Sequence, residues 1–355
     1  MDQPPDPNSL NSNSPNSNDD GAANDSSPAS TAAQEKVDQL IRHVKEQIEL
    51  LSFDSPDPAL LRQMIQSLVD PRRAARISLV ESLSQIGEPA TPFLLEGLSS
   101  HPEPVVRRAC CNALTNIGDE TSVAGLVKAL TSDEDISVKS AAAGALAKVG
   151  APAFDAIRGV LASTEASESC KGHAAWAMAT MSSEVSERLY RVMNDPSPSV
   201  RTAVVGAIAQ LAQKQLAVEA AQATSTAQTA AQSNASESLS QTKPAKTKPA
   251  KTKPKDQAKN TLSLLTEALS DPAADVTIEA AAHLARLNCQ KAYQPLVACL
   301  KDTDWEVRKA AVLALGKLGN KEAVEAIAPL KNDTEAAVQR VANLVIEQFE
   351  ATAET

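Results

Sequence analysis

The chain has 355 residues, of which 43% are hydrophobic but only 2% aromatic, and 34 basic and 44 acidic residues give it a net charge of −10. The lysine-rich tract at 243–259 has no aromatic residues between its basic ones, and the acidic remainder of the chain would repel phosphates, so the composition argues against nucleic-acid binding. Five cysteines with no CxxC pair, a polar N-terminus and no apolar run of the roughly 18 residues that a span requires predict a cytoplasmic protein that does not insert into membranes.

The N-terminal part of the chain contains two different segments. Residues 1–33 are mostly Asn, Ser, Pro and Asp, which bury too little apolar surface to offset chain ordering, so we predict a disordered tail. From Val37 onward apolar residues recur at helical spacing. We predict that residues 34–69 form two helices that cover the open end of the following domain.

A repeat of about 31 residues occupies most of the remaining chain. In the clearest units Val precedes a basic residue, small and aliphatic residues follow at helical spacing, and Gly often ends the pattern. We call the position of that basic residue the repeat-arginine position. It is occupied in turn by Arg76, Arg107, Lys139, Lys171, Arg201, Thr277, Arg308 and Gln339. Two helical patterns per unit predict an all-α solenoid, a superhelix of stacked helical hairpins, over residues 70–213 and 260–350. We expect the arginines at this position to bond neighbouring repeats together.

One step between repeat-arginine positions is too long by about 45 residues. We therefore predict a disordered insertion within a repeat at residues 214–259, first rich in Ala and Gln and then rich in Lys and Pro, because regular proline excludes a helix. Its basic half, in an acidic chain, could attract an acidic partner or serve only as a solvated spacer. Residues 351–355 are predicted to be a polar tail.

Chemistry-bearing motifs are scarce. The sequence contains no P-loop, GxSxG or HExxH, so it predicts neither a catalytic centre nor a metal site. Cys170 and His173 are spaced to share a helical face, and a thiol nucleophile would need such a base together with an orienting group. The alternative is that both residues have packing or surface roles. Trp176 aligns with Gly144 and Gly206 in the adjacent repeats, which suggests that both glycines make room for its ring.

The repeat segments 106–119 and 307–319 resemble the HEAT-like repeat first described in phycobilisome lyases. The resemblance covers roughly residues 71–333 apart from the insertion. It implies kinship with E/F-type bilin lyases and with phycobilisome-degradation proteins, which bind a phycobilin or phycobiliprotein and attach or help detach the chromophore. Residues 168–173 are distantly similar to a Cys-Gln-Gly motif of one lyase-isomerase branch. Here Lys171 replaces the Gln, and His173 follows the Gly instead of preceding the Cys.

Second helices of HEAT-type solenoids line the concave face, where partners usually bind. In the middle repeats these predicted helices carry a basic and aromatic set of five residues: Lys128, Arg158, Arg188, Tyr190 and Arg191. Such a set could hold the propionates of a linear tetrapyrrole or acidic residues of a protein through charge-assisted hydrogen bonds. The alternative is a solvated strip without a ligand.

The resemblance therefore implies a scaffold that binds a phycobiliprotein, reaches the thylakoid surface through phycobilisomes and has no resident cofactor, with a phycobilin as its only transient small ligand. Two alternatives stay open, which are a true bilin lyase and a HEAT-repeat adaptor with no role in pigment chemistry. The sequence specifies no oligomeric state.

Overall fold

The computed structural model describes residues 28–50, 57–181, 185–233 and 254–353. Within these ranges the regular structure is helical and contains no strand, which confirms the predicted all-α solenoid. None of the described helices is both long and apolar enough to cross a membrane. Most of the predicted N-terminal tail, residues 1–27, lies outside the described residues.

The helices alternate between first and second members of each hairpin. The first helices are α3 (Arg73–Ile86), α5 (Pro104–Ile117), α7 (Ile136–Val149), α9 (Glu168–Thr180), α11 (Pro198–Ser233), α13 (Ala274–Arg286), α15 (Trp305–Leu318) and α17 (Ala336–Ala353). The second helices are α4 (Thr91–Ser100), α6 (Val123–Ser132), α8 (Phe154–Ala162), α10 (Ser186–Val192), α12 (Pro254–Glu267), α14 (Tyr293–Cys299) and α16 (Ala323–Ile327). Two helices precede them, α1 (Pro28–Glu49) and α2 (Pro58–Gln66). Short 3-10 turns join many of the helices.

Each hairpin is defined by local sequence signals. Helix α5 begins at Pro104, whose fixed φ suits a first helical turn, and stops at Gly118. Gly118 has φ +72°, a left-handed conformation that residues with a Cβ rarely adopt. The Asp119 side chain then accepts a hydrogen bond from the Thr121 N–H and starts the turn into α6. Gly316 allows α15 and α17 to approach closely, since a Cβ there would lie 2.8 Å from a Val345 methyl carbon.

Neighbouring repeats are joined by the arginines of the repeat-arginine position, as predicted. Arg107 donates from Nη1 to the carbonyls of His101 and Pro102 in its own turn. Its Nε and Nη2 each donate to a carboxylate oxygen of Asp133, in the next repeat, at 2.8 Å. The same two-pronged geometry recurs in two further pairs, Arg201–Asp271 and Arg308–Asp333. We call these three the interrepeat pairs. They fix each turn to the next, since guanidinium and carboxylate match in shape as well as charge.

The core is one continuous layer of aliphatic residues between the first and second helices. Alanines such as Ala142 and Ala145 are fully buried, as are leucines such as Leu114 and Leu146. All five cysteines are buried and unpaired. Small side chains let adjacent first helices pack directly on one another, so every repeat shares its apolar surface with its neighbours.

Four predicted boundaries require correction. Helix α1 begins at Pro28, so the last residues assigned to the N-terminal tail are helical. Helix α11 continues to Ser233, so the first 20 residues assigned to the disordered insertion at 214–259 extend a helix of the solenoid. Alanine and glutamine are good helix formers, and nothing in that stretch breaks a helix. Helix α12 begins at Pro254 and α17 reaches Ala353, inside segments also predicted to be irregular. The Lys/Pro-rich part at 234–253 lies outside the described residues.

Candidate functional site

The five residues Lys128, Arg158, Arg188, Tyr190 and Arg191 lie on three successive second helices, α6, α8 and α10. We call them the basic strip. The structure therefore places them on one layer of the solenoid, as the repeat register implied. Three of the five side chains form hydrogen bonds or ion pairs within the protein, and the charges of the others are available to a partner.

Arg158 forms an internal ion pair. Its Nε donates to Oδ2 of Asp195 at 2.5 Å, and the Asp195 side chain is only 3% exposed. Asp195 is the counterpart of the acids in the interrepeat pairs, but the repeat before it has Lys171 at the repeat-arginine position. Lys171 pairs instead with Glu168 at 3.2 Å. Arg158, which extends from a second helix, takes the place of the missing arginine and so has a structural role. Because 42% of its side chain is exposed, the ligand-binding role predicted for it stays a prediction.

Arg188 and Tyr190 each form an internal hydrogen bond. Arg188 donates from Nη1 to the Ala151 carbonyl at 2.9 Å and lies 3.9 Å from Asp155, while about half of its side chain remains exposed. The Tyr190 hydroxyl lies 3.2 Å from the Thr261 hydroxyl, and its ring packs against the core. Tyr190 thus connects α10 to α12 across the insertion.

Lys128 and Arg191 are the available charges. Both are exposed, and neither forms a hydrogen bond or ion pair with another residue in the described ranges. Lys128 lines a groove of about 300 Å³ between α4 and α6, which also contains Leu95 and Ser99. Together with the exposed half of Arg188, these two residues form the part of the basic strip that an acidic partner can reach.

Cys170 and His173 are on the same helix, and each side chain contacts other polar groups of the chain. The Cys170 thiol is buried and lies 3.4 Å from the Leu130 carbonyl and 3.1 Å from the Ser167 hydroxyl. The His173 Nδ1 lies 2.7 Å from the carbonyl of Ser169, one turn back. A thiol buried in the core has neither a base nor access for a substrate, which favours the packing role.

Trp176 lies beside Gly144 but not beside Gly206. Its ring carbons lie 4.0 Å from where a Cβ on Gly144 would be, which is an ordinary van der Waals contact, so an alanine there would also fit beside the ring. Gly206 faces His283 and Glu279 instead. The Trp176 side chain is 48% exposed, so it lies on the surface where α9 packs against α7 and is not part of the core.

Comparison with known proteins agrees with the helical register. A family model for HEAT repeats matches residues 91–179 and 262–347, and a second HEAT-repeat model matches residues 187–215. The chain is a HEAT-repeat protein. The break between the matched ranges coincides with the extension of α11 and the residues leading to α12.

One curated relative and two solved structures extend the comparison. The bilin biosynthesis protein MpeU of Synechococcus sp. (strain WH8020) is 26% identical over 289 residues, which are 81% of this chain and 84% of MpeU. Similar solved structures include YibA of E. coli, 15% identical with 89% of this chain and 96% of YibA covered, at a TM-score of 0.34. The karyopherin Kap121p is also 15% identical, with 84% of this chain and 35% of Kap121p covered, at a TM-score of 0.43. At such TM-scores the fold assignment rests on the helices and the family models.

The role of Arg158 was missed at the level of sequence, although a signal was present. The repeat with Lys171 at the repeat-arginine position is followed by Asp195, so the sequence shows an aspartate whose usual arginine partner is missing. The residues that supply a substitute depend on how two second helices pack, which spacing along the chain does not encode.

Proposed function

We propose that this HEAT-repeat protein binds a phycobiliprotein through Lys128, Arg188 and Arg191 of the basic strip, and acts in phycobilisome degradation or in the attachment or detachment of bilin. The likeness to a bilin biosynthesis protein over four fifths of both chains carries the proposal. In this role the protein works in the cytoplasm, at the thylakoid surface where its partner is assembled, and any phycobilin it contacts is a transient ligand.

The chemistry of the basic strip supports a protein partner. Lys128 and Arg191 are exposed cations that form no ion pair with another described residue, and they lie on a chain of net charge −10. Carboxylates on a partner would gain charge-assisted hydrogen bonds there, while the acidic remainder of the surface would repel the partner elsewhere. The strip would thereby fix the orientation of the partner.

Chromophore transfer is the second candidate, and the name of the relative supports it. It would require the protein to bind free bilin as well as its carrier. Mixing the purified protein with phycocyanobilin separates the two candidates. A lyase shifts and sharpens the bilin absorption band, whereas a scaffold that recognises only the folded phycobiliprotein leaves the band unchanged.

The binding test uses the double variant Lys128→Glu/Arg191→Glu in a pull-down of purified phycocyanin. Both side chains are exposed and unpaired within the described part of the chain, so their charge reversal should leave the fold intact and reduce capture at least tenfold. A matched control is Lys317→Glu/Arg340→Glu, which reverses two exposed charges on the first helices α15 and α17. Equal capture by both double variants would reject the basic strip as the binding site.

A further inference from the structure

A groove of about 520 Å³ opens between α11 and α13, in the layer of first helices. It exists because α11 continues past the end of its repeat, so its residues from Ala209 to Ala217 border the last turn of α13. Leu287 joins these two alanines in the apolar part of the lining. This volume is within the range of small-molecule sites.

A hydrogen-bonded network holds one side of the groove in place. His283 is buried, with Nε2 2.7 Å from a carboxylate oxygen of Glu279 and Nδ1 2.5 Å from Nη2 of Arg286. A guanidinium can only donate, so Nδ1 of His283 accepts from Arg286, and Nε2 carries the hydrogen that it donates to Glu279. That bond holds the pKa of the Glu279 carboxyl below its usual range, although partial burial opposes the shift. The imidazole thereby fixes the guanidinium at the edge of the groove.

Two cations line the groove without a direct ion pair, although the Glu279 carboxylate attracts Arg286 through space. No carboxylate within the described ranges lies at ion-pair distance from Arg286 on α13 or from Lys214 on α11. The arginines of the interrepeat pairs, in contrast, each hold an aspartate. Gln210 and Gln213 add amide groups to the same wall. Arg286 has four N–H donors beyond the one that reaches His283.

We propose that this groove binds an organic carboxylate, whose acid group lies between Arg286 and Lys214 and whose apolar body packs on Ala209, Ala217 and Leu287. The fork of a guanidinium matches a carboxylate in two-pronged geometry. The apolar lining favours a ligand with a hydrocarbon or aromatic body over a bare inorganic anion. The chain's own Lys/Pro-rich segment is excluded as the occupant by its positive charge.

The test is a fluorescence titration of the full-length protein with 1-pyrenebutyrate, and with 1-pyrenebutanol, which has the same ring system but no charge. The carboxylate should bind saturably and at least tenfold more tightly than the alcohol. Arg286→Ala should weaken its binding at least tenfold and Lys214→Ala at least threefold, while Arg286→Lys, which keeps the charge but loses the fork, should lie between Arg286→Ala and wild type.

The matched control is Arg340→Ala, an exposed arginine on α17 far along the chain, which should bind like wild type. Thermal unfolding identifies any loss that comes from misfolding, and Lys214→Ala, at an exposed side chain, provides the answer if Arg286→Ala does not fold. The proposal is overturned if the protein binds pyrenebutyrate and pyrenebutanol with equal affinity. It is also overturned if Arg286→Ala and Lys214→Ala both bind pyrenebutyrate as tightly as wild type does. Binding of inorganic phosphate without binding of pyrenebutyrate overturns it as well. No phycobiliprotein is present, so the outcome is independent of the proposed function.

Discussion

Arg158 and Asp195 form an ion pair in which a guanidinium from a second helix occupies the place that a first-helix arginine fills in the interrepeat pairs. The Asp195 carboxylate is nearly inaccessible to water, and a buried carboxylate is destabilising unless a cation compensates its charge. The cation does not have to come from a first helix, because Arg158 on the second helix α8 also reaches Asp195.

Removing Arg158 should therefore destabilise the protein. Arg158→Ala leaves the buried Asp195 carboxylate without its partner, and we expect a loss of about 2 kcal/mol in the free energy of unfolding, a moderate figure because Arg158 itself is partly exposed. Urea denaturation followed by circular dichroism measures it. Lys171→Arg should restore most of the loss in the Arg158→Ala background, because it supplies the arginine that other repeats have. An unchanged urea midpoint in Arg158→Ala would contradict this account.

The repeat that begins at Asp271 offers the opposite experiment. Thr277 occupies the repeat-arginine position there, and Asp302, its expected partner, has no ion pair within the part of the chain that the structure describes. Thr277→Arg should complete a fourth interrepeat pair and raise the free energy of unfolding by about 1 kcal/mol. The gain should disappear in the Asp302→Asn background. A stabilisation that persists there would mean that the arginine acts by some other contact.

Acid should weaken the interrepeat pairs. The hydrogen bond from Arg308 is the main cause that holds the pKa of Asp333 below its usual range, with burial opposing it. The pKa values of Asp133 and Asp271 are also lowered, because bonds from their arginines and from backbone N–H groups together outweigh the larger opposing effect of burial. A carboxyl whose pKa is lower in the folded state stabilises the fold fully above its unfolded-state pKa of about 3.9. The stabilisation is then lost as the pH falls through the folded-state pKa.

We therefore expect the contribution of these carboxylates to the free energy of unfolding to be constant from pH 7 to about pH 5 and to decrease below about pH 4. Urea titrations at successive pH values measure this decrease. Arg308→Gln should reduce the decrease in the acid range, because Asp333 would then titrate closer to its unfolded-state pKa. If the variant had the wild-type pH dependence, the Arg308–Asp333 pair would not be its source.

The cysteines should be unreactive in the folded protein. Burial raises the pKa of the Cys110 thiol to about 12, and it also raises the pKa of Cys111 and Cys299. Thiolates are the reactive species, so at pH 8 Ellman's reagent should label the native protein slowly and all five thiols rapidly in guanidinium chloride. Rapid labelling of one thiol under native conditions would indicate that Cys170 or another thiol is reachable, and would reopen the question of thiol chemistry.

Much of the fold was predictable because a solenoid is specified locally. The clearest repeats contain their own glycine stop, aspartate turn and arginine, as the unit from Arg107 to Gly118 illustrates, so periodicity alone predicts the stacked hairpins. The site was less predictable. The basic strip followed from the register, but Arg158 and Lys128 lie only one register position apart on successive second helices, and Arg158 is paired while Lys128 is not.

The sequence by itself determined the all-α repeat, the identity of its first and second helices and the arginines that join successive units, since these depend on spacings within about one repeat length. Only the tertiary structure decided which cations remain free, because pairing depends on side chains that meet across helices. It also decided that α11 continues past its repeat, and this places Lys214 opposite Arg286, residues 72 positions apart in the chain. Local propensity and spacing do not contain such contacts, because they arise only when helices from different repeats pack.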